Sequence, residues 1–399
     1  MNSKILKNLK IISFLCIIFL VIEIIYVGYS LMYNKESLYF DGVNALTSDG
    51  KSYIAVGSNN NNDYKYEKAI LSKYNSKKEK VFEKIYNKGY NGAFFDVEFD
   101  GDFIIAVGSY EKDESDHNNS VRSALLVKYD INGDIVFEND LSILDNSKFT
   151  SVTVVDDGYL VTGQSVYKST KIGSKEGGAV LIKYDKDGKM LWKSTYGNNK
   201  SAVFNNLIVL NDSIYTVGVD DNYLGLICKY NLDGEFITYN DYKWTDIIGF
   251  SDICNIGDKI YVCGANRSGD NWTNSMIVEY DTDCTYIKET VYESDGINRF
   301  NKMQVDSNDN IIVIGSLKLN KSSKDSVDVF NYDAIIGKYK DNLEKVSIIK
   351  YGDEKDDFFT DITIVDNNYL VSGYSSYEDG SYLSKFLKYS EALKLLEVE

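Results

Sequence analysis

Proline is absent from these 399 residues, histidine occurs once, arginine and tryptophan three times each, and cysteine five times. A single histidine, His117, excludes a histidine-rich zinc site and any pairing of histidines. It stands beside Glu111, Asp113, Glu114 and Asp116, an acidic run of the kind that is ordinarily solvated. The cysteines Cys16, Cys228, Cys254, Cys263 and Cys284 are too sparse, and odd in number, for a disulfide framework. Cys254 and Cys263 fall on adjacent candidate strands, where they either bridge or remain buried thiols. The lack of proline and scarcity of arginine, beside abundant Asn, Lys, Ile and Tyr, read as AT-rich bacterial coding without structural meaning. No Gly-x-Ser-x-Gly, Gly-x-x-x-x-Gly-Lys or Gly-x-Gly-x-x-Gly occurs, so nucleophile-elbow hydrolases and nucleotide-binding folds lack support. Past residue 40, no stretch of about 12 residues carries a helical stripe.

Acids outnumber bases, 60 to 43, for a net charge of −17. Residues 1–33 hold Lys4, Lys7, Lys10 and Glu23, a net +2, which leaves −19 on the remainder. Such a body repels phosphate backbones, so no nucleic-acid partner is expected. Its charge favours cations, basic partners or solubility alone. One long apolar run is present, from Ile11 to Val27 and more weakly to Tyr33, preceded by three lysines. About 20 apolar residues span a bilayer, and flanking lysines stay cytoplasmic. The expectation is a cytoplasmic tail over residues 1–10, a transmembrane anchor over 11–33, and residues 34–399 outside the membrane. A signal peptide cleaved near Gly28-Tyr29-Ser30 is the alternative and would make the body secreted. The run exceeds the usual apolar core of such peptides, roughly 7–15 residues. Cys16 follows Leu15 and so lacks the small residue that precedes a lipidated cysteine. Glu23 lies near the outer end of the span, where a carboxylate can reach the interface.

The body repeats one unit seven times. Each begins Phe-x-x-apolar, at Phe40, Phe94, Phe149, Phe204, Phe250, Phe300 and Phe359. An apolar run ending in glycine follows, at Gly57, Gly108, Gly163, Gly218, Gly264, Gly315 and Gly373. The third landmark is usually Lys-Tyr, at Tyr74, Tyr129, Tyr184, Tyr230, Tyr280, Tyr339 and Tyr389. Units of 46 to 59 residues with Val, Ile, Tyr and Phe in short runs read as strands separated by turns. In the third unit the strands are expected at Phe149–Val155, Tyr159–Gly163, Ala179–Tyr184 and Met190–Thr195. The last unit supplies its own fourth strand, Ala392–Val398. The fold class is therefore all-β: a seven-bladed β-propeller of four-stranded antiparallel blades, preceded by one N-terminal transmembrane helix.

The spacings distinguish the hairpins. Phe to Gly is 14 residues in five units, 15 in the sixth and 17 in the first. Gly to Tyr runs 17, 21, 21, 12, 16, 24 and 16, so the connection between second and third strands carries the variation and marks a candidate binding face. The third hairpin turns on Asp130-Ile-Asn-Gly133, Asp185-Lys-Asp-Gly188 and Asn231-Leu-Asp-Gly234. A calcium loop would need further ligands and a Glu at its twelfth position, which Asp185 to Tyr196 does not supply. Two residues past each Phe stand Gly42, Asp96, Ser151, Asn206, Asp252, Lys302 and Asp361, which alternation can turn into a central channel. Asp96, Asn206, Asp252 and Asp361 are the candidate ligand-binding residues; the other reading has them bonding the amides of neighbouring blades. Trp272, Tyr167, Tyr223 and Tyr377 are candidate stacking platforms for sugars.

The stretch Gly177 to Gly197, with Asp-Lys-Asp-Gly-Lys-Met-Leu-Trp at its centre, resembles the repeat of bacterial secreted and surface β-propellers and of quinoprotein-like propellers. Weaker copies are Ala124–Glu138, Leu226–Tyr239 and Ala334–Gly352, so the resemblance covers nearly the whole chain after residue 37. It implies architecture only. Quinoprotein dehydrogenases tie eight blades together with repeated tryptophans. Trp192 has no tryptophan counterpart here, with Phe137 and Phe236 nearest, so no cofactor is expected. Sialidase-type propellers bind a carboxylate with three arginines. Arg122 lies in the second unit and Arg267 and Arg299 in and after the fifth, and the Ser-x-Asp-x-Gly-x-Thr-Trp turns of that family are missing. The expected function is a non-catalytic binding or scaffold module for a cell-envelope protein or glycan, without a metal. The alternative is a carbohydrate-active enzyme in which Asp96, Asp252 and Asp361 supply carboxyls about 5–10 Å apart.

Overall fold

The computed structural model describes residues 42–59, 66–112, 121–141, 146–168, 175–197, 202–222, 224–242, 249–268, 272–294, 296–319, 331–352, 355–376 and 382–398. The chain divides into Met1–Tyr39 and Phe40–Glu399. The first of these, with the apolar run from Ile11 to Tyr33, lies outside the described residues. Among the described residues no helix is long and apolar enough to cross a membrane.

Every sequence unit folds as an antiparallel meander of four strands, giving five four-stranded sheets and one of eight. The eight-stranded sheet is the second and third units, joined only by a parallel bridge between Arg122 and Asn146. In the third unit the strands are Asn146–Val155, Gly158–Lys168, Lys175–Asp185 and Met190–Tyr196. The middle pair is longer than expected because pairing continues past Gly163 and Ala179 to Lys168 opposite Lys175. The last strand of the chain is shorter than expected, Leu395–Val398.

The apolar core lies between sheets. Among the described residues six clusters of buried side chains each join two successive units, and a seventh joins Val43, Leu46 and Ala55 of the first unit to Leu370 of the last. The ring is thus closed by packing between its first and last units, each of which keeps its own four strands. The Phe and Tyr landmarks are one contact seen twice. Phe149 meets Tyr184 edge-on at 6.4 Å and Phe300 meets Tyr339 at 6.1 Å, within single sheets.

The glycine landmark has a geometric cause. In every unit the pairing of the first two strands slips by one residue immediately after the residue opposite this glycine. The bulge drives a backbone carbonyl onto the glycine, so a Cβ at Gly163 would fall on the Lys148 oxygen and one at Gly108 on that of Ala93. This register corrects the alignment of the first unit. Gly57 pairs with Val43, 14 residues earlier, and the inward position is Ala45 rather than Gly42. The spacing of 17 from Phe40 came from an aromatic three residues outside the repeat.

Neighbouring units also meet where the fourth strand of one faces the third-hairpin turn of the next. Phe82, Phe137 and Trp192 lie against Gly133, Gly188 and Gly234, glycines with φ of 82°, 83° and 80°. Trp192 pairs with Lys183, and the same register position is Phe82, Phe137 and Thr238, so Phe236 is not its counterpart. Where that position carries Thr238, Lys288 or Ser347, the following turn carries Cys284, Leu343 or Leu393 in the same left-handed conformation, each buried. A left-handed non-glycine residue costs about 1–2 kcal/mol, and a buried leucine returns roughly 1.5–3 kcal/mol.

Candidate binding cavity on the inner strands

The first strand of each unit is innermost. Gly42–Ser48, Tyr90–Asp100, Asn146–Val155, Val203–Leu210, Gly249–Ile256, Gly296–Val305 and Asp357–Val365 together wall a cavity of about 470 Å³. Strand alternation brings two tiers of side chains to it. Asp96, Ser151, Asn206, Asp252, Lys302 and Asp361 form one. Two residues further along lie Thr47, Glu98, Thr153, Cys254, Gln304 and Thr363. All four sequence-predicted residues, Asp96, Asn206, Asp252 and Asp361, therefore line one space.

Their hydrogen bonds run from unit to unit. Asp96 accepts from the Val97 amide through Oδ1 at 2.9 Å, and from the Val152 amide of the next unit through Oδ2 at 2.9 Å. Asp252 accepts from the Met303 amide at 2.7 Å. Asp361 closes the ring, accepting from the Leu46 amide at 2.7 Å and its own neighbour Ile362 at 2.9 Å. Asn206 donates to Asp252 and accepts from the Leu207 amide at 2.7 Å. The Ser151 hydroxyl lies between Asp96, at 2.7 Å, and Asn206, at 2.6 Å, with one proton to give. A second belt runs beside this one: the bulged residues Asn44, Thr150 and Asn205 donate to the Phe94, Phe204 and Phe250 carbonyls at 2.8, 2.6 and 2.6 Å.

Burial dominates the electrostatics. It pushes the Glu98 carboxyl up to about 8, with Asp96 adding to the rise against the Val154 amide and Lys302. Burial likewise raises Asp361 to about 7, against the pull of Lys302, and raises Asp252. For Lys302 burial acts to lower the value, but Asp252, Asp361 and Asp96 outweigh it and hold the amine charged. The sequence alone places Lys302 at the inward position without a role, and Glu98, outside the candidate set, is reached by a step of two from Asp96. Glu98 accepts from the Val154 amide of the next unit at 2.8 Å, repeating the Asp96 bond one tier along.

A pH dependence follows. Glu98 is protonated below its unfolded value of 4.5 in both states, and its raised folded value means stability is lost as pH rises from there through about 8. Glu98→Gln keeps an acceptor for Val154 and removes this loss. The variant is expected to match the parent at pH 4 and to be more stable at pH 9, by on the order of 1 kcal/mol. Thermal melts at the two pH values check it, and a parent as stable as the variant at pH 9 would refute the assignment.

Other candidates are placed as follows. Cys228, Cys254, Cys263 and Cys284 are free, and Cys254 and Cys263 pair with Tyr261 and Asp252 rather than with each other. Burial raises the Cys254 and Cys263 thiols, with Asp252 adding to it, so neither is a ready nucleophile. Arg122 pairs with Glu111 at 3.1 Å, while Arg299 donates to Ser251 at 2.8 Å. Among the described residues no three metal-ligating side chains gather. His117, Tyr223, Tyr377 and the side chains of Tyr167, Arg267 and Trp272 lie outside the described residues, as do most of the variable connections between second and third strands.

No family model matches the chain, and no curated protein does. Solved structures do. Sqt1 from Chaetomium thermophilum aligns with a TM-score of 0.50 at 10% identity, over 90% of this chain and 88% of that one. Puromycin hydrolase aligns at 0.52 and 10% identity, over 89% of this chain but 54% of its own. The β-propeller domain of the Trilobed protease from Pyrococcus furiosus aligns at 0.47 and 11% identity, over 88% and 94%. The fold is a β-propeller. At such identities the likeness extends to architecture alone, and the activities in those names belong to those proteins.

Proposed function

We propose that this propeller has seven blades, is held by an N-terminal helix on the outer side of a bacterial membrane, and binds a cell-envelope protein or glycan without turning it over. The observation that carries the non-catalytic reading is the use made of the inner carboxylates. Asp96, Asp252 and Asp361 each accept a backbone amide from the next unit. Groups committed in this way hold a ring together and are poorly placed to shuttle protons. The same commitment weighs against the carbohydrate-active alternative that would employ them as paired catalytic carboxyls. Seven sequence units and seven inter-unit clusters support the blade count. The apolar run behind Lys4, Lys7 and Lys10 supports the anchor, and the acidic body argues against nucleic acid.

Protease added to intact spheroplasts is expected to release the body and leave the N-terminal stub protected. A body degraded only after lysis would overturn the location. The purified body is expected to turn over no glycan or ester. Turnover abolished by Asp96→Asn would replace the binding reading with the enzymatic one.

A further inference from the structure

Among the described residues the inner ring holds one cation, and no described group is bonded to it. Lys302 is half-buried and lines the cavity, and its amine makes no hydrogen bond or ion pair to any described residue. One tier along, Thr47, Thr153, Gln304 and Thr363 line the same space, and their side chains too make no hydrogen bond to a described residue. These groups face the space inside the cavity, where a ligand of matching polarity can take the place of solvent. Around them the carboxylates of Asp96 and Asp361 are fixed in orientation by two amides each and keep further lone pairs. The wall therefore alternates groups that only accept, one that only donates, and hydroxyls and an amide that do both. The four carboxyl groups of Asp96, Glu98, Asp252 and Asp361 disfavour an anion, and Lys302 disfavours a cation. The volume, about 470 Å³, falls within the range of small-molecule sites, roughly 300–1,000 Å³.

We propose that the cavity takes a neutral polyhydroxyl compound of sugar size, which Lys302 and the threonine tier hold while Asp96 and Asp361 orient its hydroxyls. This rests on the binding-module reading and gives it a ligand class. Preorganised donors and acceptors of this kind discriminate strongly against analogues lacking a hydroxyl.

The test uses the full chain in detergent, with glucose, myo-inositol, glucuronate and inorganic phosphate as probes in ligand-observed NMR and calorimetry. Glucose or inositol is expected to bind, with affinity reduced about tenfold by Lys302→Met and severalfold by Thr153→Val with Gln304→Leu. The second variant touches no inter-unit bond and so remains informative if the first does not fold. Glucuronate or phosphate binding in place of the neutral probes overturns the ligand class. Neutral-probe binding unchanged in both variants overturns the site. Failure of every probe to bind overturns the inference, while an envelope protein captured by the same chain would leave the broader reading standing.

Discussion

Gly163→Val is expected to destabilise the protein by about 3 kcal/mol and to lower its melting temperature by several degrees. The added side chain has nowhere to go, because the atom it meets is the Lys148 carbonyl oxygen, part of the backbone, and not a side chain that can turn away. Relief requires undoing the bulge at Thr150, whose hydroxyl donates to the Phe204 carbonyl of the next unit. The damage therefore spreads across the seam. Three glycines inserted between residues 169 and 174 should cost less than about 1 kcal/mol, since loop closure grows only logarithmically with length. If melts rank the insertion as the worse of the two, the division into fixed core and variable connection is wrong.

Asp361→Ala is expected to cost about 2–4 kcal/mol at pH 5, more than Asp361→Asn. It strips acceptors from the Leu46 and Ile362 amides. The penalty should shrink at pH 9. Asp361 is raised to about 7, so the parent itself loses stability as pH climbs through that value, and alanine has no such loss. Hydrogen exchange should show the inner strand Gly42–Ser48 opening first, because its Leu46 amide bridges the first and last units. Equal protection of this strand in parent and variant would show that the Asp361 bond does not hold the seam.

Much of this was readable because the landmarks are packing positions. Phe149 and Tyr184 recur since the second to seventh units each use that edge-on pair, and Gly163 recurs since a carbonyl occupies the place of its Cβ. What escaped were consequences of register. A bulge advances one strand by a residue and changes which side chains face inward, and nothing in Val43-Asn44-Ala45 announces it. Phe40 draws the alignment three residues off because the first unit carries Val43 where the others carry phenylalanine. Asp96 and Asp252 were found as polar residues at an inward position, but their amide partners, Val152 and Met303, lie 56 and 51 residues away. Both readings of these acids had been open, and only their geometry shows the amide bonds. Phe236 and Trp192 both follow the same turn, but Trp192 stands four residues past Gly188, opposite Lys183, and Phe236 two past Gly234, opposite Tyr230.

The contacts between outer strands and turns make the units unequal partners. Trp192 requires the bare turn at Gly234, and beside Leu343 or Leu393 it would meet a side chain where it needs empty space. Ser347 set against a glycine turn would leave a void. Each unit therefore carries an address for its successor. A chain that docks a unit on the wrong neighbour meets a clash or a cavity at that junction. The same code limits how the repeat can grow. Duplication of the second or third unit preserves every match, whereas a unit copied across the boundary between Thr238 and Cys284 arrives with the wrong neighbour.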